Sequence, residues 1–288
     1  GEGTSLVAEY EHDLPTGTWT GATPLPGEGL PNSTDVTTQL RKGWARLSLG
    51  LLHVGAGVMT SHWGLGLVAN DGDHGWTSGS ARFSDPRGGD VVLRAFVSSG
   101  PLTDAEAVFS LAFDRAYRDD ILVDDDTAYS LAASALVGDE RRRAGLIVSH
   151  RRQSTVDGRE LRASLFDVTG RWAKRVGDAE LTLEAEAALT LGTTTLGASR
   201  EIPELDVLQL GAALRASFAY DTLGAVLDVL YTSGEPNTYD DQATGFRTDP
   251  NFETGLLLFR YVQAAHTGRG YGRAHQLRVG LTNALVRS

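Results

Sequence analysis

The sequence predicts an all-β protein, an antiparallel transmembrane β-barrel of roughly 12–14 strands. Three observations lead to this fold class. Apolar residues recur at every second position, the alternating segments are long, and short and long connections alternate along the chain. Each of these is typical of strands that face lipid on one side and a wet interior on the other.

The alternation is clearest between residues 181 and 192. The apolar positions there are Leu181, Leu183, Ala185, Ala187, Leu189 and Leu191, and the intervening positions are polar or small. In a helix, residues two apart point to nearly opposite sides, so period two favours a strand although Ala, Glu and Leu are good helix formers. Residues 105–113, 127–137, 208–220 and 223–231 repeat the pattern.

The length of these segments separates a membrane barrel from a soluble sandwich. Strands of globular proteins usually have about 5–6 residues, whereas a tilted strand that crosses a bilayer needs roughly 9–11. Aromatic residues also lie near the predicted strand ends, where an interfacial girdle is expected. These are Tyr117, Tyr129, Trp172, Tyr220, Tyr231 and Tyr261.

The pattern predicts thirteen strands in one domain covering residues 1–288. They span 4–12, 37–48, 51–60, 90–98, 104–117, 127–137, 141–152, 160–173, 179–192, 207–220, 223–234, 252–262 and 275–287. Bacterial barrels normally have an even number, so one strand is split or missed, or a terminal strand is absent. We expect short periplasmic turns near 138–141, 175–178 and 221–222, and long extracellular loops near 61–89, 118–126, 193–206 and 235–251.

Composition excludes several classes of protein. The chain carries a formal charge of −11, which argues against nucleic acid as a partner, and it has no cysteine for disulfides or thiolate metal sites. No apolar run approaches the length of a membrane helix. The chain opens without a secretory signal, which suggests a mature or trimmed form.

The Gly-rich stretch at 61–75, SHWGLGLVANDGDHG, superficially suggests a calcium loop. An EF-hand needs a bidentate Glu as its twelfth residue, but counting from Asn70 ends on Ala81 and from Asp71 on Arg82. We therefore predict no metal site and no cofactor, and expect His62, Trp63, Asn70 and Asp71 to belong to a long extracellular loop. Trp63 is expected near the membrane interface, or where the loop folds inward over the lumen.

No catalytic motif accompanies the seven histidines. The G-x-S-x-G and H-E-x-x-H patterns are both missing from the sequence, so no nucleophile can be named and we predict a protein that is not an enzyme. A barrel-embedded hydrolase and a soluble carbohydrate-binding sandwich remain as alternatives.

Charged residues on the predicted inner face indicate a wet lumen. The predicted pore-lining residues are Arg94, Glu106, Arg162, Glu184, Glu186, Arg215, Asp228 and Arg260. Buried charges need water or partners, so these side chains either line an open pore or form ion pairs that close it.

Two stretches carry a family resemblance. Residues 41–75, with Trp44, Gly50, Met59 and a segment SHWGLG…NDG, resemble a family of largely uncharacterised outer-membrane proteins of myxobacteria and related deltaproteobacteria. Residues 233–259 look like a late extracellular loop of that family and of alginate-export-like porins. The chain departs from the family where Gly57-Val58-Met59 replaces its Arg before the Met. The resemblance implies an outer-membrane barrel and supplies no catalytic residues.

These observations predict a monomeric barrel of the bacterial outer membrane that lets small polar or anionic solutes diffuse through its lumen. Its expected partners are the lipid bilayer, lipopolysaccharide and those solutes, without nucleic acid. A closed barrel with a structural or surface-recognition role is the alternative within the same fold.

Overall fold

The computed structural model describes residues 3–12, 38–71, 90–119, 122, 126–197, 199–237, 239–249, 252 and 274–283. All regular structure in these ranges is β-strand. Over the same ranges no helix is long and apolar enough to span a membrane.

Within the described residues, thirteen strands follow one another along the chain. They are β1 (Gly3–His12), β2 (Thr38–Leu49), β3 (Leu52–Thr60), β4 (Val91–Leu102), β5 (Ala107–Arg118), β6 (Thr127–Gly138), β7 (Arg142–Ser154), β8 (Glu160–Val176), β9 (Ala179–Thr194), β10 (Leu205–Tyr220), β11 (Leu223–Thr232), β12 (Gln242–Ala243) and β13 (Ala274–Asn283).

The strands form one sheet in which sequence neighbours are spatial neighbours. From β1 to β11 each strand pairs with the next, β13 pairs with β11, and all of these pairs are antiparallel. The two-residue strand β12 lies off this path and pairs in parallel with β10. Within the described ranges no pairing joins β1 to β13, so the sheet is not closed.

The predicted all-β antiparallel class is confirmed. Twelve of the predicted segments correspond in order to β1–β11 and β13, while the predicted strand at 252–262 lies outside the described residues. The strand predicted to begin at 104 begins at Ala107 instead, because residues 103–106 form the turn that joins β4 to β5.

The connections are sorted by length between the two ends of the sheet. Short turns at 50–51, 103–106, 139–141, 177–178 and 221–222 lie at one end, here called the turn end. The longer connections follow β3, β5, β7, β9 and β11, and they leave these strands at the opposite, loop end. This agrees with the predicted alternation.

One of the short turns is held by an acidic side chain. Asp139 Oδ1 accepts hydrogen bonds from the backbone N–H groups of Arg141, at 2.8 Å, and Arg142, at 2.7 Å. The N–H groups of Arg142 and Arg141 lower the pKa of the Asp139 carboxyl below its ordinary value. The charged form therefore favours the folded turn.

The two faces of the sheet differ in chemistry. One face, here called the outer face, exposes large apolar side chains on strand after strand, including Leu93, Phe113, Leu131, Val168, Leu183 and Leu214. The other face, the inner face, carries buried polar groups such as Asp114, Asp167, Glu186 and Asp228. The alternating pattern of β9 produces this division, since its odd positions are largely exposed and its even positions more buried.

The inner face is concave. The backbone N–H of Leu65 binds Glu186 on β9, although β3 ends at Thr60. On a flat sheet β3 and β9, six strands apart, would be separated by about 29 Å, whereas five extended residues span at most roughly 17 Å. The length of a Glu side chain does not make up the difference, so the sheet curves toward this face.

Candidate functional site: a loop held on the inner face

Residues 61–71, here called the inward loop, leave β3 and lie against the inner face of the sheet. The loop is closed on itself by hydrogen bonds from Trp63 N to Ala69 O, at 3.0 Å, and from Gly66 N to Trp63 O, at 2.8 Å. Leu67 at its centre is fully buried, with 0% of its surface exposed. Of the two positions predicted for Trp63, the structure has the inward one.

Two carboxylates on adjacent strands hold this loop. Trp63 Nε1 donates to Asp167 Oδ1 on β8 at 3.1 Å. Glu186 on β9 accepts from the backbone N–H groups of Leu65, at 2.5 Å, and Leu67, at 3.1 Å. Asp167 lies near the middle of β8, about 23 Å along the strand from its first residue. The inward loop therefore occupies part of the space on the concave side of the sheet, near the middle of the strands.

The glycines of the loop allow this close approach. Gly64 has φ +57°, and a Cβ there would lie 2.5 Å from Glu186 Oε2 and 2.8 Å from Thr169 Oγ1. A side chain at this position would therefore meet both a left-handed backbone and a steric clash. The Gly-rich composition noted in the sequence is a packing requirement of this contact.

A second chain segment covers the other side of the loop. Asp249 Oδ2 accepts from Asn70 N at 3.0 Å, and Asp249 N donates to Leu67 O at 2.8 Å. Leu67 also belongs to a buried apolar cluster with Ala188, Ala213, Leu230, Phe246 and Phe252. Parts of the two stretches that carry the family resemblance are thus in contact on the inner face.

The buried carboxyl groups of the strands are stabilised by hydrogen-bond donors of the inward loop. Asp167 pairs with Ala188, and Glu186 with Thr169, so the two carboxyl groups are diagonal cross-strand neighbours whose charges interact. Both side chains are almost fully buried. Removing buried carboxylates from water is costly unless donors replace it, and the loop supplies the indole and backbone N–H groups.

Ion pairs occupy other positions of the inner face. Arg94 binds Asp114 through two hydrogen bonds of 2.6 and 2.7 Å. Arg171 Nη1 lies 2.5 Å from Glu184 Oε1, and Arg215 Nε lies 2.8 Å from Asp228 Oδ1. The structure therefore places the predicted residues Arg94, Glu184, Glu186, Arg215 and Asp228 on this face.

Two predicted pore-lining residues lie elsewhere, and their predicted orientation is wrong. Glu106 is exposed in the turn between β4 and β5, with φ +52°, and is not part of a strand. Arg162 is on the outer face of β8, because its neighbours Ala163 and Asp167 alternate with it onto the inner face. Arg260 lies outside the described residues.

The structure describes the surroundings of the predicted loop residues His62, Asn70 and Asp71. His62 Nδ1 lies 3.6 Å from Asp71 Oδ1, and Asn70 is held by Asp249. In the part of the chain that the structure describes, no group of three or more His, Cys, Asp or Glu side chains is arranged to hold a metal ion.

A serine and a histidine meet on the inner face nearer the turn end. His53 Nδ1 lies 2.8 Å from Ser48 Oγ, and His53 Nε2 lies 3.2 Å from the carbonyl oxygen of Gly100. This geometry suits a serine nucleophile with an oriented base. Ser48 is only 7% exposed, however, and a substrate carbonyl needs access to Oγ. The contact with Ser48 therefore accounts for one hydrogen bond of the His53 ring, and it does not indicate a reaction.

The partners of the predicted residues were not identified from the sequence. Asp114, Asp167 and Arg171 each lie on the inner face, and Asp249 lies in a loop. The register of β5 carries a usable signal, because Asp114 is an even-numbered residue like Ser110, which the alternation places inward. No local signal pairs Asp167 with Trp63, which is 104 residues away in sequence.

Comparisons of the chain with protein-family models, with curated proteins and with solved structures find no match. The site must therefore be interpreted from its own geometry.

Proposed function

We propose that the chain forms a transmembrane β-barrel of the bacterial outer membrane and that small polar solutes diffuse through its interior past the inward loop. The observation that carries this proposal is the contrast between an apolar outer face and a charged inner face. Closure of the sheet into a barrel is part of the proposal.

The outer face supports a lipid environment. Leu131, Leu208 and Phe113 are each at least half exposed, at 53%, 53% and 51%, and similar residues cover the neighbouring strands. Soluble monomers rarely expose contiguous apolar patches larger than a few hundred Å². Fully burying one such side chain is worth roughly 1.5–3 kcal/mol, so a bilayer around this face would stabilise the protein strongly.

The inner face supports a wet interior. One cross-strand row over β2–β6 is lined by small or polar side chains, and its members are Ser48, His53, Ser98, Ser110 and Ser134. Hydroxyl groups and ion pairs can bind water and polar solutes at this wall. The inward loop lies against β7–β9 and would form the constriction opposite it.

A closed structural barrel is the second candidate, and the apolar cluster around Leu67 favours it. This cluster fills part of the space between the inward loop, β9–β11 and residues 246–252. If the remaining interior is equally filled, solutes cannot pass, and the same outer face would serve only to anchor a surface structure.

Planar-bilayer conductance of the detergent-purified protein separates these functions. We expect discrete conductance steps, and a changed cation-to-anion permeability ratio in Arg46→Glu, because Arg46 is an exposed residue on the inner face of β2. Lys174→Glu on the outer face of β8 is the matched control and should leave the ratio unchanged. Insertion without conductance would favour the closed barrel, and a chain that stays monodisperse without detergent would overturn the membrane proposal.

A further inference from the structure

Three arginines and a tyrosine form one row across the outer face. Arg115 of β5 pairs with Tyr129 of β6, Tyr129 pairs with Arg152 of β7, and Arg152 pairs with Arg162 of β8. We call these four residues the arginine row. Neighbouring strands are about 4.8 Å apart, so the row spans roughly 14 Å.

All four side chains of the arginine row are exposed. Arg152 and Arg162 have 60% and 56% of their side-chain surface exposed, and Arg115 and Tyr129 are exposed as well. They project from the same side of the sheet as the apolar residues of the outer face. The sequence analysis placed Arg162 on the inner face, whereas the structure has it on the outer face.

The row marks the border of the apolar surface at the loop end. Two residues further toward the turn end along each strand, the same face carries Phe113 and Leu131 on β5 and β6, His150 and Ser164 on β7 and β8, and Leu191 on β9. Phe113 stacks on Tyr129, with ring centroids 5.9 Å apart. With the loop end outside the cell, as the sequence analysis predicts for the long loops, this border lies at the headgroup level of the outer leaflet.

Among the described residues, one carboxylate contacts the three arginines of the row. Arg152 and Arg162 are direct cross-strand partners, an arrangement that is unfavourable for like charges. The carboxylate of Glu160 contacts both, at 3.5 and 2.5 Å. Within the part of the chain that the structure describes, three positive charges against this carboxylate leave a net charge of +2, and Asp206 on the same face lies two strands beyond Arg162.

We propose that the arginine row binds the phosphate groups of lipopolysaccharide in the outer leaflet. Guanidinium groups bind phosphate through paired, charge-assisted hydrogen bonds. A lipid fits better than a soluble anion because its acyl chains can lie on Phe113, Leu131 and Leu191 while its phosphates contact the arginines. The proposal rests on the membrane orientation proposed above and adds a specific lipid contact to it.

The experiment measures binding of bisphosphorylated lipid A to the full chain in neutral detergent micelles. Near a membrane surface each arginine is worth about 1 kcal/mol, so the triple variant R115Q/R152Q/R162Q should bind about a hundredfold more weakly. The matched control R142Q/K174Q removes two positive charges from the outer face at the turn end and should bind like the unaltered chain. A triple Arg→Lys variant, which keeps charge but loses the planar fork, should fall between them.

Two further arms identify the source of the phosphate. Dephosphorylated lipid A should bind the unaltered chain as weakly as lipid A binds the triple variant, and inorganic phosphate at millimolar concentration should not compete. Equal lipid A binding by the triple variant, with its fold verified by circular dichroism, would overturn this inference alone. Conductance and the need for detergent test the membrane proposal independently.

Discussion

Replacing Glu186 with Ala tests whether the inward loop is held by its carboxylate. Glu186 accepts two backbone hydrogen bonds, from Leu65 N at 2.5 Å and Leu67 N at 3.1 Å. Leaving a buried N–H group without an acceptor costs about 1–3 kcal/mol, so the loss of both acceptors removes about 2–6 kcal/mol of docking energy by this count. Taking the lower figure, the fraction of undocked loop should rise more than about tenfold.

The assay is the rate at which a maleimide reagent labels a cysteine introduced as Ala69→Cys. The chain has no cysteine of its own, so this thiol is unique. Ala69 is half-buried in the docked loop, where its carbonyl accepts from Trp63 N. We expect labelling at least tenfold faster in Glu186→Ala, and a smaller acceleration in Glu186→Gln because the amide keeps one acceptor oxygen.

The matched control for this experiment is Glu184→Ala. Glu184 lies on the same face of the same strand, two residues away, and pairs with Arg171. Its loss should leave the labelling rate unchanged. Equal rates in the Glu186→Ala and Glu184→Ala backgrounds would refute the argument that Glu186 holds the loop. A gel-mobility test of folding in detergent distinguishes release of the loop from loss of the sheet.

Two further predictions concern the inward loop and the turn at 139–141. Gly64→Ala should undock the loop as Glu186→Ala does, because it adds a clash with Glu186 to the cost of a left-handed residue, about 1–2 kcal/mol. The matched control is Gly158→Ala, at φ +83° with open space around its Cβ. Urea titration of this variant measures the cost of a left-handed backbone alone, and the labelling rate of Ala69→Cys should be unchanged. Equal labelling rates in the two glycine variants would contradict the predicted clash between a Cβ added at position 64 and Glu186. Asp139→Ala should lower the urea midpoint at pH 7. Because the pKa of Asp139 is lowered in the folded state, its contribution is present above the unfolded value of about 3.9 and is lost as the pH falls through the folded pKa. The difference in urea midpoint between Asp139→Ala and the unaltered chain should shrink over that acidic range. A difference in midpoint that does not depend on pH would contradict the role of the charged Asp139 carboxylate in the turn.

The strands could be predicted from the sequence because each outer-face position obeys the same requirement. On β9 the odd positions from Leu181 to Leu191 are all apolar, and this regularity is visible without knowing which residues they contact. The turns follow for a similar local reason, since residues such as Gly177 and Asp221 adopt positive φ where two strands must reverse direction.

The candidate site could not be predicted in the same way, because it depends on pairs of residues that are distant in sequence. Leu65 and Glu186 are 121 residues apart, and Asn70 and Asp249 are 179 residues apart. Nothing local to 61–71 indicates which strands will supply its acceptors. The glycines and the Asn-Asp pair suggested a calcium loop because they share turn chemistry with one, but here Gly64 lies against Glu186 of the sheet and Asn70 N donates to Asp249 of a second loop.

Arg162 shows where polarity fails to identify the inner face, although the alternation itself continues. The prediction assigned the inner face of β8 by polarity, but Leu161, Ala163 and Leu165 at the loop end alternate onto the more buried side, opposite Arg162. β8 has 17 residues, more than the roughly 9–11 that a strand needs to cross a bilayer, so in the proposed membrane orientation its first residues extend beyond the apolar band. In that orientation the outer face at the loop end contacts headgroups instead of acyl chains, which accounts for a charged residue there. The register of β7 and β8 places Arg162 beside Arg152, and a phosphate bound to both would relieve the repulsion between them.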